Sequence, residues 1–162
     1  KISKMNVLAF KTSGDSTSVS IIFEDEINSF SMTHARKDRP NWDMFLKNVG
    51  YNKRFCLDDI DLFAYVNSQN SYTATRSVAS YLKGIAVALN KPLIVVEDND
   101  IENIDSDWVA KLAKNIYLSS DRDKQKFNPS QGNPRYFEAN NFKKLNERFT
   151  FKFHSWFNSG LN

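Results

Sequence analysis

Residues 61–97 read DLFAYVNSQNSYTATRSVASYLKGIAVALNKPLIVVE, and this stretch decides the fold class. Residues 62–66 are short and apolar, as a buried strand is. Along Tyr72–Leu89, apolar residues recur at steps of three and four, which predicts a long helix. Pro92 follows it, and residues 93–96 form a fully apolar run that is typical of a parallel strand. Strand, helix and strand together predict a βαβ unit with a right-handed crossover.

Upstream of this unit, three strand patterns are joined by short polar turns. Residues 6–10, 18–23 and 27–33 predict an antiparallel meander. Residues 41–49 predict a helix, with Asn41 as its N-cap. The resulting order, βββ-α-β-α-β, predicts an α/β mixed sheet of the ribonuclease-H-like kind, the half-domain that is repeated in the actin-like ATPases.

The pattern weakens after residue 97, and this sets the predicted domain division. Residues 1–98 form the ribonuclease-H-like first lobe. Residues 99–162 form a short, truncated second lobe with a C-terminal segment that can dock back on the first lobe. Residues 106–116 have the spacing of a short helix. The alternating Phe149, Phe151 and Phe153 indicate an edge strand near the end.

Composition indicates a globular chain in a reducing compartment. Of the 162 residues, 41% are hydrophobic and 25% are charged, which is typical of a folded domain rather than a disordered one. The single cysteine, Cys56, excludes a disulfide within the chain, so a cytoplasmic location is expected. No apolar stretch approaches the ~20 residues that span a bilayer, so no membrane association is expected.

The net charge is only +3, but positive charge is concentrated late in the chain. Residues 122–162 carry eight basic side chains against three acidic ones, together with several aromatic rings. A basic, aromatic tail is compatible with a nucleic-acid-binding module. A solvated terminus explains the same charge, because no RNA-binding motif accompanies it, so both interpretations stay open.

The usual catalytic patterns are missing, so the sequence predicts no catalytic residue and no metal ligand. A two-metal nuclease of this fold needs an acid on its first strand, where this chain has Lys11. The turn of Thr12, Ser13 and Gly14 is a candidate for a vestigial phosphate loop, because its amides and hydroxyls can meet an anion. Together with Asp15, this turn supports an alternative hypothesis, a small nucleotide-hydrolysing domain that binds ATP and Mg²⁺.

Four segments match the order and spacing of motifs that occur together in one protein family. Residues 6–13 (NVLAFKTS), followed by 18–22 (SVSII), are similar to a strand ending Ala-Ile-Asp-Thr-Ser and a following Ser-Val-Ala strand. Residues 71–76 (SYTATR) are similar to the helix start Ser-Phe-Thr-Gly-Leu-Arg. Residues 134–144 (PRYFEANNFKK) are similar to a closing Pro-x-Tyr-Leu-Arg-Asn segment. These motifs are those of the TsaB family, also called YeaZ, which the chain resembles.

The resemblance implies a non-catalytic subunit. TsaB proteins share the actin-like ATPase fold, pair with a catalytic relative, TsaD, and help to form threonylcarbamoyladenosine on tRNA. For this chain the resemblance therefore implies a TsaD-like partner, a TsaE-like ATPase as a further partner, indirect contact with tRNA and no cofactor of its own. Two departures from the family pattern point away from nucleotide binding. Lys11 replaces the family's Asp, and residues 68–70 (SQN) replace a Gly-Pro-Gly loop.

The resemblance also implies that the partner surface is formed by the two helices of the first lobe, residues 41–49 and Tyr72–Leu89. The same helices can pair with themselves in a homodimer. The longer helix has apolar residues on more than one face, and these need cover from a partner or from the chain's own helices. The expected interface residues are Trp42, Phe45, Val49, Tyr72, Arg76, Ala79 and Lys83.

Overall fold

The computed structural model describes residues 4–13, 15–35, 40–68, 72–97 and 105–134. Within these ranges, strands and helices follow one another in the order βββ-α-β-α-β-α. The elements are β1 Val7–Thr12, β2 Ser16–Phe23, β3 Glu26–Thr33, α1 Trp42–Asn48, β4 Leu62–Asn67, α2 Tyr72–Leu89, β5 Leu93–Glu97 and α3 Ser106–Ser119. Short 3-10 turns lie at Leu57–Asp59 and Pro129–Gln131.

The five strands form one mixed sheet in the order β3-β2-β1-β4-β5. Strands β1, β2 and β3 pair antiparallel, whereas β4 pairs parallel with β1 and with β5. The turn between β2 and β3 is a two-residue hairpin, in which Glu24 and Asp25 have φ angles of 53° and 71°. The predicted α/β class is confirmed, with both the meander and the βαβ unit in place.

Each face of the sheet has its own hydrophobic core. The face under α1 and α2, here called the aromatic face, is centred on large rings that are at most 1% exposed: Phe10, Phe45, Phe63 and Tyr65. The face under α3, here called the aliphatic face, contains mainly aliphatic residues, together with the ring of Tyr117. Its buried members include Val7, Ala9, Leu62, Ala64, Ile94, Val109, Ala110 and Ala113. The sheet is therefore covered on both sides, as its parallel strands require.

Helix α3 docks closely on the aliphatic face. The Asp105 side chain caps its start by accepting a hydrogen bond from the Trp108 amide at 2.9 Å. The buried hydroxyls of Ser20 on β2 and Ser106 lie 2.6 Å apart, and Ser20 also donates to the carboxylate of Asp107. The helix continues to Ser119, three residues past its predicted end at 116.

Residues 127–134, here called the strap, return to the edge of the sheet at β5. The Leu93 amide donates to the carbonyl of Phe127 at 3.0 Å, and the Tyr65 hydroxyl donates to the carbonyl of Gly132 at 3.0 Å. A Cβ at Gly132 would lie 2.5 Å from a methyl of Leu93, so a larger residue there would require the Leu93 side chain to shift. The described part of residues 99–162 thus docks on the first lobe. The strand predicted around Phe149–Phe153 lies outside the described residues, and the division into two lobes stays a prediction.

Candidate functional site

The two helices expected to form a partner surface lie side by side on the aromatic face. Helix α1 begins after Asn41, whose side chain accepts a hydrogen bond from the Met44 amide at 3.2 Å, which confirms the predicted N-cap. It ends before Gly50, which has a φ of 112°. Helix α2 spans the 18 residues Tyr72–Leu89, with the bounds that the sequence predicts.

A cluster of rings holds α1 and α2 together. The ring of Trp42 on α1 stacks on that of Tyr81 on α2, with centroids 5.3 Å apart and planes 21° from parallel. Phe10 on β1 meets Trp42 edge-on at 5.4 Å and Tyr81 at 6.1 Å. Phe45 completes the cluster, 6.4 Å from Phe10. Such ring pairs add to the stability gained by burial. The ring contacts between the sheet and the two helices therefore fix the position of α1 relative to α2.

The hydroxyl of Tyr81 stays protonated over the physiological pH range. Burial raises the pKa of Tyr81 to about 12, and the Asp43 carboxylate and Tyr51 add smaller contributions in the same direction. Burial disfavours the phenolate because the charged form loses its hydration. The junction of the two helices therefore carries a neutral hydroxyl.

The expected interface residues divide into buried and accessible groups. Phe45, Val49 and Ala79 are 1%, 3% and 4% exposed, so their side chains lie in the chain's own core and can only support the surface from beneath. Their apolar character is accounted for by the sheet of this chain. Trp42 is half-buried and Arg76 is exposed. Of the other expected residues, Lys83 donates to the Asn133 side chain at 2.6 Å, and Tyr72 is the first residue of α2.

The outer face of α2 carries exposed residues that are not among the seven expected interface residues. Gly84 is exposed, and a Cβ added there would meet no described atom within 4 Å. Ser80, one turn earlier, is exposed, and Val87, one turn later, is 50% exposed. A glycine inside a helix costs about 0.5–1 kcal/mol relative to alanine. The helical spacing of Ser80, Gly84 and Val87 was the available signal.

The hairpin predicted as a vestigial phosphate loop uses its hydroxyls internally. Thr12 is buried, and its hydroxyl lies 2.8 Å from that of Thr17, which in turn lies 2.9 Å from Nε2 of His34. The Ser13 hydroxyl donates to the Asp15 carboxylate at 3.3 Å. Gly14 lies outside the described residues. The side chains of Thr12 and Ser13 thus stabilise the hairpin itself, and the ATP and Mg²⁺ hypothesis stays a prediction.

Among the described residues, no group of three or more His, Cys, Asp or Glu side chains could hold a metal ion. Cys56 is exposed and far in sequence from the half-buried His34. No helix in the described ranges is long and apolar enough to cross a membrane.

The sheet order and the crossover define the chain as an α/β protein of the ribonuclease-H-like, actin-like ATPase fold. Solved structures that share this arrangement include YeaZ from Pseudomonas aeruginosa and a protein from the same organism described as uncharacterized with similarity to peptidase YeaZ. Each is 22% identical to this chain with a TM-score of 0.54, and each match covers 59% of it. The resemblance to YeaZ is therefore confirmed as a likeness of fold.

The matched region is under half of either solved structure, 45% of the first and 44% of the second. No family model matches the sequence. No curated protein matches it either. Any proposal about the partner, substrate or activity of this chain must therefore be argued from the chain's own surfaces.

Proposed function

We propose that the chain is a TsaB-like, non-catalytic subunit. It binds a TsaD-like partner through α1 and α2 and so supports threonylcarbamoyl modification of tRNA adenosine, contacting tRNA only indirectly. A TsaE-like ATPase is a further partner of the assembled complex. The fold likeness to YeaZ and the exposed outer face of α2 support this function.

Gly84 is the observation that carries the proposal. In the described structure its missing side chain faces open space, so no described neighbour requires a glycine. The residue nevertheless costs helix stability relative to alanine. Close approach of another backbone is one use of a glycine, because it has no Cβ. A partner helix that crosses α2 at Gly84 makes that use of it.

The surroundings of Gly84 define the partner's chemistry. Val87 offers exposed apolar area beside the crossing point, and Ser80 leaves the approach open. The partner surface is thus a helix with small or apolar residues at its centre.

Depletion and complementation in the source cell test this function. Loss of the chain is expected to abolish threonylcarbamoyladenosine in tRNA, measured by mass spectrometry of digested nucleosides. Wild-type chain restores the nucleoside, and Gly84→Leu does not, because its side chain occupies the crossing point. Lys111→Leu, which adds the same side chain to the exposed side of α3, is the matched control and restores it. Unchanged modification in depleted cells would refute the proposal.

A further inference from the structure

The two edges of the sheet are finished differently. At β5 the strap covers the edge, and the Leu93 amide is bonded to Phe127. At the opposite edge lies β3, which has eight residues and pairs with β2 along its whole length without a bulge. No described strand lies beyond it. The outer side of a regular edge strand of this length carries a row of backbone N–H and C=O groups with which another strand can pair.

The hairpin geometry determines which backbone groups of β3 point outward. In a two-residue hairpin the residues that flank the turn, here Phe23 and Glu26, form a hydrogen-bonded pair. Alternate residues along β3 therefore bond to β2, and the remaining residues direct their N–H and C=O groups away from the sheet. The outward residues are Ile27, Ser29, Ser31 and Thr33.

Strand β3 lacks the features that protect natural sheet edges. Proline, lysine, bulges and central charges prevent edge-to-edge pairing in other proteins. The sequence of β3 is EINSFSMT, and its single charged residue, Glu26, lies at the hairpin end and is paired with Arg54 at 2.8 Å. The small side chains of Ser29 and Ser31 leave the outward backbone accessible at the centre.

We propose that β3 is a homotypic interface at which two copies of the chain pair their edge strands antiparallel, giving one continuous sheet. One register pairs all four outward residues: Ser29 with Ser31 of the second copy, and Ile27 with Thr33. The two-fold axis then passes through Phe30, so each strand meets an identical strand, as a symmetric dimer requires.

The side chains of β3 fit this register. The half-buried Phe30 meets Phe30 of the second copy, and Met32, which is 40% exposed, lies beside Asn28 of the second copy. Cross-strand pairs of this kind stabilise a sheet. At the ends, the acidic Glu26 lies beside His34 of the second copy, not beside a second acidic hairpin. This interface lies on the α1 side of the sheet, where the Phe30 ring packs 5.3 Å from that of Phe45, and away from the outer side of α2, where the partner helix is proposed to cross.

Sedimentation velocity of the full chain, from micromolar to millimolar concentration, tests the interface. The wild-type chain is expected to dimerise. Ser29→Pro removes one outward N–H from each copy and raises the dimer dissociation constant at least about 30-fold, because two hydrogen bonds are lost. Ser29→Ala keeps the backbone donor and dimerises like the wild type. A monomeric wild type, as when the chain's own tail covers β3, or a Ser29→Pro variant that still dimerises, overturns the proposal.

A cysteine trap tests the register without relying on the folding of the proline variant. In a Cys56→Ser background, Asn28→Cys combined with Met32→Cys places the two thiols opposite each other across the interface, with Cα atoms about 4.5 Å apart, within disulfide range. Mild oxidation is expected to give a disulfide-linked dimer. Met32→Cys alone is the control and gives none. Absence of the linked dimer in the double variant overturns the register and with it the proposal.

Discussion

Both faces of the sheet are covered by helices, but different side chains hold the helices in place on each face. The aromatic face holds two helices with a ring cluster in which Trp42, Tyr81 and Phe10 contact one another. The aliphatic face holds one helix by small residues and by the bonds between Ser20 and the start of α3. Among the described helices, α2 on the aromatic face is the one whose outer side includes a glycine that no described contact requires. Both faces therefore contribute packed cores, and the outer side of α2 is the surface that we propose for recognition.

The largest expected loss comes from removing the centre of the ring cluster. Phe10→Ala is expected to lower the free energy of unfolding by about 3–5 kcal/mol, because Phe10 is fully buried and touches rings from both helices. Ile94→Val on the aliphatic face is the comparison and is expected to cost about 0.5–1.5 kcal/mol. Urea denaturation followed by circular dichroism measures both. A loss for Phe10→Ala no larger than that for Ile94→Val would contradict the placement of Phe10 at the buried centre of the ring cluster.

A polar change on the aliphatic face is expected to have an intermediate effect. Ser20→Ala leaves the buried Ser106 hydroxyl without its partner on β2 and should cost about 1–3 kcal/mol. Ser18→Ala, two residues along the same strand and half-exposed, is expected to stay within about 0.5 kcal/mol of the wild type. If Ser20→Ala proves as mild as its control, the hydroxyl pair does not anchor α3. Thermal unfolding of the two variants distinguishes these outcomes.

A small gain is expected on the outer side of α2. Gly84→Ala should raise the free energy of unfolding by about 0.5–1 kcal/mol, because alanine is the better helix residue and its methyl group meets no described atom. The same change on the inner side of a packed helix would bring a clash. A loss of stability in the isolated chain would show that Gly84 is covered within the chain, and the argument for a partner at this point would fail.

The contribution of Tyr81 to the free energy of unfolding is expected to depend on pH in the alkaline range and not near neutrality. Because the pKa of Tyr81 is about 12 in the folded chain against 10.0 ordinarily, the folded state holds its proton more tightly than the unfolded state. This contribution to stability is complete below pH 10 and is lost as pH rises toward 12. Tyr81→Phe should remove that part of the pH dependence. Stability curves of wild type and variant that run parallel through this range would contradict the burial of the hydroxyl.

The sequence was sufficient for the elements of the first lobe, because periodicity and turn chemistry are local. The run of residues 93–96 and the spacing along Tyr72–Leu89 led directly to the βαβ unit. The docking of α3 was not readable in the same way. Its apolar stripe shows that one side is buried but not which sheet face buries it, and the serine pair that anchors it joins residues 86 positions apart.

The expected partner residues also show how far a sequence pattern can predict burial. A helix apolar over much of its circumference needs cover, but the pattern does not tell cover by the chain's own sheet from cover by a partner. Phe45, Val49 and Ala79 receive theirs from the sheet. Gly84 gave no apolar signal, and its interest depends on knowing that nothing in the described chain lies above it.

The central claim, that the outer face of α2 is a partner surface, is tested most directly by calorimetric titration of the purified chain with the TsaD-like protein of the same cell. We expect the wild type to bind and Gly84→Leu to bind at least about 30-fold more weakly, as a change at the centre of an interface does. Lys111→Leu on α3 should bind like the wild type. Undiminished binding by Gly84→Leu, or no binding by the wild type, would contradict the claim.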